Sequence, residues 1–342
     1  MAGKRQHYIP QFLQRGFTIE GHEQKAFVIR IDKAPYLSNI QDIGVEGYFY
    51  TEGEDVIVDD LITKEENLIA PAINDLRVRL NEEVLSSELA AKLVAHFEIR
   101  TRHLRMNYLQ GIKNMVQQIS CALEDEKIFL TYLKNQIIND NHFVMEQIDS
   151  HGMIPSHQKK LWGEIIQRNP DLIIRNFPKP LLKYMATQLR QQFSDELLIK
   201  KIKEGHIKAL KQTIAPDEKI AIFSKLTFKV METKDKLFLG DSIVVFINSE
   251  GKWKPFYEKG DRLKSIIMPL NQNKYLFGVA SGGKGYIYSS EELRGMLASC
   301  SLEFLISPEK ALGEQYAAQI GSHANILSQE QASQLLKEIL AE

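Results

Sequence analysis

The hydrophobic period of this sequence changes along the chain, and that change limits the fold more than any single motif does. From Asp59 to about Ile207 apolar residues return at helical spacing, whereas after Pro216 they gather in short β-branched runs separated by turn residues. In the first helical stretch Leu61, Leu68, Ile69, Ile73, Leu76 and Leu80 fit one face. Asp59 and Asp60 stand at the end where the macrodipole favours acids, and Pro71 predicts a kink or a stop. Residues 86–120 read as one long helix opened by Ser87 as N-cap, with Leu89, Leu93, Phe97, Leu104, Tyr108 and Ile112 sharing much of a face. Further helices are expected at 122–139, 156–168 and 179–204, with a proline-marked connection at 169–180.

The strand signals are KAFVIRID (25–32) and GYFYTEG (47–53) near the start, then residues 220–232, 236–248, 263–270 and 274–280. Charged or turn residues separate the later four, which is the layout of an antiparallel meander. Helical patterns return at about 290–299, 308–320 and 328–340. The expected fold class is therefore α+β, with a helical middle region and a late, mainly antiparallel sheet. We expect one integrated domain over 1–342: a mixed amino-terminal segment (1–58), a helical region (59–210), and a sheet with carboxy-terminal helices (216–342).

The 43 basic and 44 acidic residues leave a formal charge of −1, so no global field draws the chain to nucleic acid or to an anionic membrane. A nucleic-acid or nucleotide partner must then meet a local patch, and homo-oligomer formation stays open. Cys121 and Cys300 have neither metal-ligand nor redox spacing and read as reduced, buried thiols. The start MAGKRQHYIPQF lacks the apolar run of a secretory signal, and no stretch of about 18 uncharged apolar residues follows. The expectation is a cytoplasmic chain with no membrane partner.

No phosphate-binding loop, dinucleotide fingerprint, metalloprotease helix or Cys-x-x-Cys pair is present, so the residues name neither a cofactor nor a metal site. SGGKGY (281–286) is glycine-rich and carries Lys284, but it lacks phosphate-loop spacing and reads as a turn. His96, Arg100 and His103 share a helix face on which the central cation disfavours a metal. The lysines of 189–212 border an apolar stripe, the pattern of a wet helix face.

Gln6 to Phe17 stand apart, because an imidazole, a phenol, several amides and a guanidinium share twelve residues. Pro10 at a first helical position would place Gln11 and Arg15 on one face and Leu13 and Phe17 on another. His7 and Tyr8 would then precede a helix start, where orphan N–H groups favour a phosphate or carboxylate. Alternatively, His7 and Tyr8 are hydrogen-bonded core residues that tie down the terminus. Asp241 lies in the apolar run 237–246, where a carboxylate has to find a donor or reach solvent.

His7-Tyr8-Ile9-Pro10-Gln11-Phe12, followed by Arg15 and Phe17, resembles the opening of a largely bacterial family of proteins of unknown function. That family opens with His-Tyr-Val/Ile-Pro-Gln-Phe/Tyr-x-x-Arg-x-Phe. Glu66, Arg100-Thr101, Asp241 and Pro269-Leu270 are similar to its later landmarks. Arg102 and Ile243 stand where it carries prolines, and Leu239-Gly240 replaces a Thr-Ser pair. Some members are associated with defence against phage. The resemblance implies a defence or stress effector acting on a nucleic-acid or nucleotide phosphodiester. In that reading His7, Glu66 and Asp241 are catalytic, and Tyr8, Gln11, Arg15 and Arg100 bind the ligand. Whether it is an enzyme at all stays open. One alternative is a non-catalytic sensor that binds an anionic ligand or a partner's acidic segment. Another is a structural clamp in which Glu66–Arg100 and Asp241–Arg15 are buried ion pairs.

Overall fold

The structure is a computed structural model that describes residues 5–51, 53, 55–150, 154–280, 287–324 and 329–341. The SGGKGY segment (281–286), read as a turn from its sequence, lies outside the described residues. Strand β1 (Arg5–His7) leads into the one-turn helix α1 (Gln11–Gln14) and a 3-10 turn, Arg15–Phe17. Then come β2 (Lys25–Arg30), β3 (Tyr36–Asn39) and β4 (Val45–Gly47), followed by helices α2 (Ile57–Val78), α3 (Ser87–Ile99) and α4 (Arg102–Glu124). The helical run continues with α5 (Glu126–Asn139), α6 (Asn141–Ser150), α7 (Lys159–Arg168) and α8 (Pro170–Arg175). It closes with α9 (Lys179–Gln192), α10 (Asp195–Gln212) and α11 (Asp217–Phe223). Strands β5 (Leu226–Glu232), β6 (Leu239–Gly240), β7 (Val245–Asn248), β8 (Trp253–Lys254), β9 (Leu263–Pro269) and β10 (Lys274–Ala280) follow. The end of the chain is α12 (Ser290–Cys300), β11 (Phe304–Ser307), α13 (Lys310–Glu314) and α14 (Gln329–Ala341).

The class is α+β, and its sheets are antiparallel. Contacts group the chain into two compact units, Met1–Tyr108 with Lys201–Ile326, and Leu109–Lys200 with Leu327–Glu342. The sequence boundaries at 58 and 210 do not mark this division, since α2, α3 and the strands belong to the first unit together.

In the first unit a five-stranded sheet has the order β5-β10-β9-β7-β8, and a four-stranded sheet has the order β3-β2-β11-β6. The small ribbon β1-β4 completes the set. Helix α3 is buried nearly all round, through Leu93, Val94, Ala95 and Phe97 among others, as a helix within a core must be. Helix α2 runs through Pro71, which is exposed, so the carbonyl that loses its helical partner can meet water. Its buried face is Val58, Ile62, Ile69, Ile73 and Leu76, while Leu68 faces solvent and Leu80 lies exposed beyond the helix end.

Several expectations need correction. The helix read over 86–120 is broken at Arg100-Thr101, and Ser87 donates its hydroxyl to Leu226 O instead of capping. Residues 217–223 are helical, since Pro216 with Asp217 and Glu218 sets a helix start that outweighs the β-branched run behind it. The run 236–248 divides into β6 and β7 around a turn at Asp241, and Ile243 there adopts a left-handed φ of 65°. Cys300 is buried, but Cys121 is exposed. Among the described residues no helix is long and apolar enough to cross a membrane.

The second unit is helical. Ile137, Val144 and Ile148 form its core, with Leu133, Phe143 and Ile166 packed against it. Gly163 lets α7 approach α6, since a Cβ there would lie 2.8 Å from Met145 Sδ.

In the first unit Gly278 of β10 stands opposite Phe228 of β5, and an added Cβ would lie 2.5 Å from the buried ring. Gly278→Ala should therefore lower the unfolding free energy by about 1–3 kcal/mol. Gly205→Ala, in α10 with open space around the new methyl, should raise it by about 0.5–1 kcal/mol. Chemical denaturation of both variants checks the pair, and equal effects would contradict the packing described.

Candidate functional site

The amino-terminal motif is built as a plug. Pairing of β1 with β4 sets Gln6 opposite Glu46 and His7 opposite Val45, and strand alternation buries Gln6 while Arg5 stays exposed. The Gln6 amide accepts from Tyr50 N at 2.6 Å and donates to Thr51 Oγ1 at 2.6 Å. The backbone N–H groups of Tyr8 and Ile9 both donate to Gly44 O. Pro10 occupies the N-cap position instead of the first helical one, and α1 is a single turn. Leu13 and Phe17 anchor it in the core, as their spacing predicts. Gln14, a residue with no sequence signal of its own, is fully buried and donates to Ile9 O at 2.7 Å and Ile43 O at 2.9 Å. Gly16 presses against the strand end at Leu270, where a Cβ would lie 2.5 Å from the carbonyl oxygen. Arg77 fastens the same junction by donating to Leu270 O and Leu13 O.

Beneath the plug lies Arg100. It ends α3 as the C-cap with no exposed surface. Its Nε donates to Tyr50 Oη at 3.2 Å and its Nη1 to His96 Nε2 at 3.0 Å. Its Nη2 donates both to His7 O at 2.9 Å and to Glu66 Oε1 at 2.6 Å. A guanidinium only donates, so His96 Nε2 must accept, and its Nδ1–H then donates to Ile214 O at 2.9 Å. The tautomer is thus fixed. Burial and the Arg100 charge hold His96 neutral, with a pKa lowered to about 3. Tyr50 closes the ring by donating its hydroxyl to Arg100 O at 3.1 Å.

The structure therefore brings His7, Glu66 and Arg100 together, although His7 joins through its carbonyl. Its imidazole Nε2 instead donates to Gln41 O at 3.2 Å, and burial lowers its pKa. The other expected residues lie elsewhere. Gln11 is half-buried on α1. Arg15 is exposed and forms no ion pair among the described residues, which removes the expected Asp241–Arg15 bridge. A one-turn helix has too small a dipole to make the anion site read before Pro10. Tyr50 and His96 complete the cluster without any spacing signal tying them to the motif.

Asp241 has a different setting. Its Oδ1 accepts from Leu302 N at 2.7 Å, and its Oδ2 from Glu303 N at 2.8 Å and Phe304 N at 3.4 Å. It fixes the link between α12 and β11. Burial nevertheless pushes its pKa up to about 7. His103 Nε2 donates to Ala324 O at 2.9 Å, which leaves its Nδ1 a bare acceptor 4.0 Å from Asp241 Oδ1. His103 accordingly stays neutral, its pKa lowered by burial to about 4.

Next to the plug opens a polar cleft of about 310 Å³. By strand register Val28 and Arg30 of β2, Tyr36 of β3 and Phe304 of β11 share the sheet face that floors it. Tyr8 and residues 42–46 form the wall. Arg102 pairs with Glu303 and, at 3.1 Å, with Glu46, while Arg30 pairs with Asp32 at 2.8 Å and Glu303 at 3.6 Å. Burial and the nearby Asp241 charge raise the Tyr8 pKa, so the phenol keeps its proton.

A sequence model of the family described as protein of unknown function (DUF4238) matches residues 5–292. The chain belongs to this family. The match covers the amino-terminal plug, the Arg100 cluster and Asp241, in agreement with the resemblance to a family of unknown function. Comparison with curated proteins and with solved structures gives no match.

The buried groups fix a pH profile. His96, His103 and His206 have pKa values lowered from 6.5 to about 3, 4 and 3, so the stability they contribute is present above pH 6.5 and is lost as pH falls through the folded values. Asp241 works the other way. Raised from 3.8 to about 7, it contributes stability that is full below 3.8 and is lost as pH rises through 7. Three histidines act against one carboxylate, so the urea midpoint should fall on acidification below about pH 7, and Asp241→Asn, which removes the opposing trend between about pH 4 and 7, should make that fall steeper. An acid limb no steeper in Asp241→Asn than in wild type would contradict the buried carboxylate.

Proposed function

We propose that this chain is a non-catalytic binding module. Its ligand is a small polar molecule carrying an anionic group, seated in the cleft of Tyr8, Arg30 and Arg102. The observation that carries this reading is the saturation of Arg100. All three of its nitrogens donate to protein acceptors and Arg100 itself has no exposed surface, although its partner Glu66 keeps 29% of its side chain accessible, so the amino-terminal motif supports the cleft wall and leaves recognition to the arginines outside. Arg102 and Arg30 keep 31% and 25% of their side chains accessible, and the Glu46 and Glu303 side chains that hold Arg102 can turn aside. A ligand anion would replace a carboxylate on Arg102, and the freed Glu46 and Glu303 would then take a donor. This selects a molecule bearing both an acidic group and an amine or hydroxyl groups. The volume is near the lower end for small-molecule sites.

A second reading keeps a phosphodiester hydrolase with a role in defence. In its favour, His7 is half-buried and neutral, its Nε2–H is engaged by Gln41 O, and Nδ1 is left as the basic atom near the Glu66 charge. His7→Ala, compared with wild type in phage plating at matched soluble expression, addresses that reading directly.

For the binding module, calorimetric titration with nucleoside monophosphates, amino acids and sugar phosphates is expected to give at least one saturable ligand. Arg102→Gln should weaken it about tenfold or more, the scale of a lost charge-assisted bond, while leaving the protein folded. Arg15→Lys should change neither affinity nor melting temperature. Equal affinity in wild type and Arg102→Gln would contradict the placement of the ligand.

A further inference from the structure

In the helical unit, α7, α8 and the turn after α8 enclose a groove of about 430 Å³. Its walls are Trp162, Ile165, Leu172, Ile173 and Phe177. These side chains are unusually open for their type, with Trp162 45% and Leu172 58% exposed, and Leu161 is 59% exposed on the flank of α7. Isolated exposed apolar residues are ordinary, but a contiguous concave set marks a contact surface. The segment that forms it is rich in basic residues, although Asp149 holds Lys159 and Glu126 holds Lys179. Residues 159–183 carry six basic residues (Lys159, Lys160, Arg168, Arg175, Lys179 and Lys183) and two acidic ones (Glu164 and Asp171), in a chain whose net charge is −1.

Helical spacing places Arg168 three residues after Ile165 and Arg175 three after Leu172, so each cation flanks a groove wall. Both are exposed, and neither forms a salt bridge among the described residues, whereas Asp171 is held by Lys134 at 2.7 Å. We propose that this groove docks an acidic amphipathic helix of a partner protein. The partner's apolar stripe would lie over Trp162, Ile165 and Leu172, and its carboxylates would meet Arg168 and Arg175. A concave slot between two short helices suits the ridge of another helix, whereas a bilayer surface is met by a protruding apolar face.

The test uses the full chain with Trp253→Phe, so that Trp162 is the sole indole. The probe is a synthetic helix with leucines at i, i+3, i+4 and i+7 and glutamates elsewhere. Its addition should shift Trp162 emission to the blue and saturate. Rising salt should weaken the complex, and Arg168→Glu with Arg175→Glu should weaken it about tenfold or more at unchanged circular dichroism. Equal binding of a lysine-for-glutamate probe, or no binding of the acidic one, would overturn the proposal. So would saturable capture of Trp162 by phosphatidylserine vesicles in place of the acidic helix, or self-association that Ile165→Glu abolishes.

Discussion

The first unit depends on the burial of one guanidinium. Arg100 sits at the break between two helices with no solvent contact, and it is tolerable there only because its donors find acceptors on four separate segments: β1, the loop at Tyr50, α2 and its own helix. Removing one partner from such a cluster leaves a charge or an acceptor stranded, at a cost of about 3–5 kcal/mol for a buried pair. Everything nearby follows from that need. The neutral His96 tautomer, the Tyr50 hydroxyl returning to Arg100 O, and the inward carbonyl of His7 each answer one of its requirements. The plug is thus sequence-local in origin but held by residues far along the chain.

The same logic separates scaffold from surface. Asp241 is spent on backbone N–H groups and Arg100 on its four partners, so both are engaged within the protein. Arg30 and Arg102 are held by side chains alone and border an open cleft, where competition by a ligand is physically cheap. Glu303 connects the two halves of this arrangement. Its N–H is held by Asp241, while its carboxylate bridges Arg102 and Arg30, so the buried acid positions the cleft's central carboxylate.

Much of this was legible in the sequence, for reasons that can be named. Strand β2 and the later strands β9 and β10 follow local β-branched runs, and α2 and α3 follow their apolar periods. The pairing of β2 with β11 was not legible, because a four-residue strand near residue 305 carries too little pattern and its partner lies far away in sequence. The break at Arg100-Thr101 was hidden as well. No glycine or proline marks it, and the apolar spacing continues from Phe97 to Leu104, while the cause is a side chain turned inward to distant partners. Glu66 and Arg100 came from the family resemblance, and their pairing was one of the alternatives it left open. His96 stood out only as part of a helix face with Arg100, while Tyr50 and Gln14 carry no pattern because their partners lie far away in sequence or are backbone atoms. At Ile243 the left-handed φ of 65° is one that proline cannot adopt, so the proline of the family pattern has no place in this turn.

Arg100 is a clamp whose fork geometry, and not its charge alone, holds the amino terminus. Arg100→Lys keeps the charge and removes the fork, so thermal unfolding combined with amide hydrogen exchange separates the two contributions. The expected result is a loss of about 2 kcal/mol or more, with the amides of Tyr8, Ile9 and Tyr50 losing protection together. Native stability and native protection at those three amides, with loss only of ligand affinity, would contradict it and return Arg100 to the binding surface.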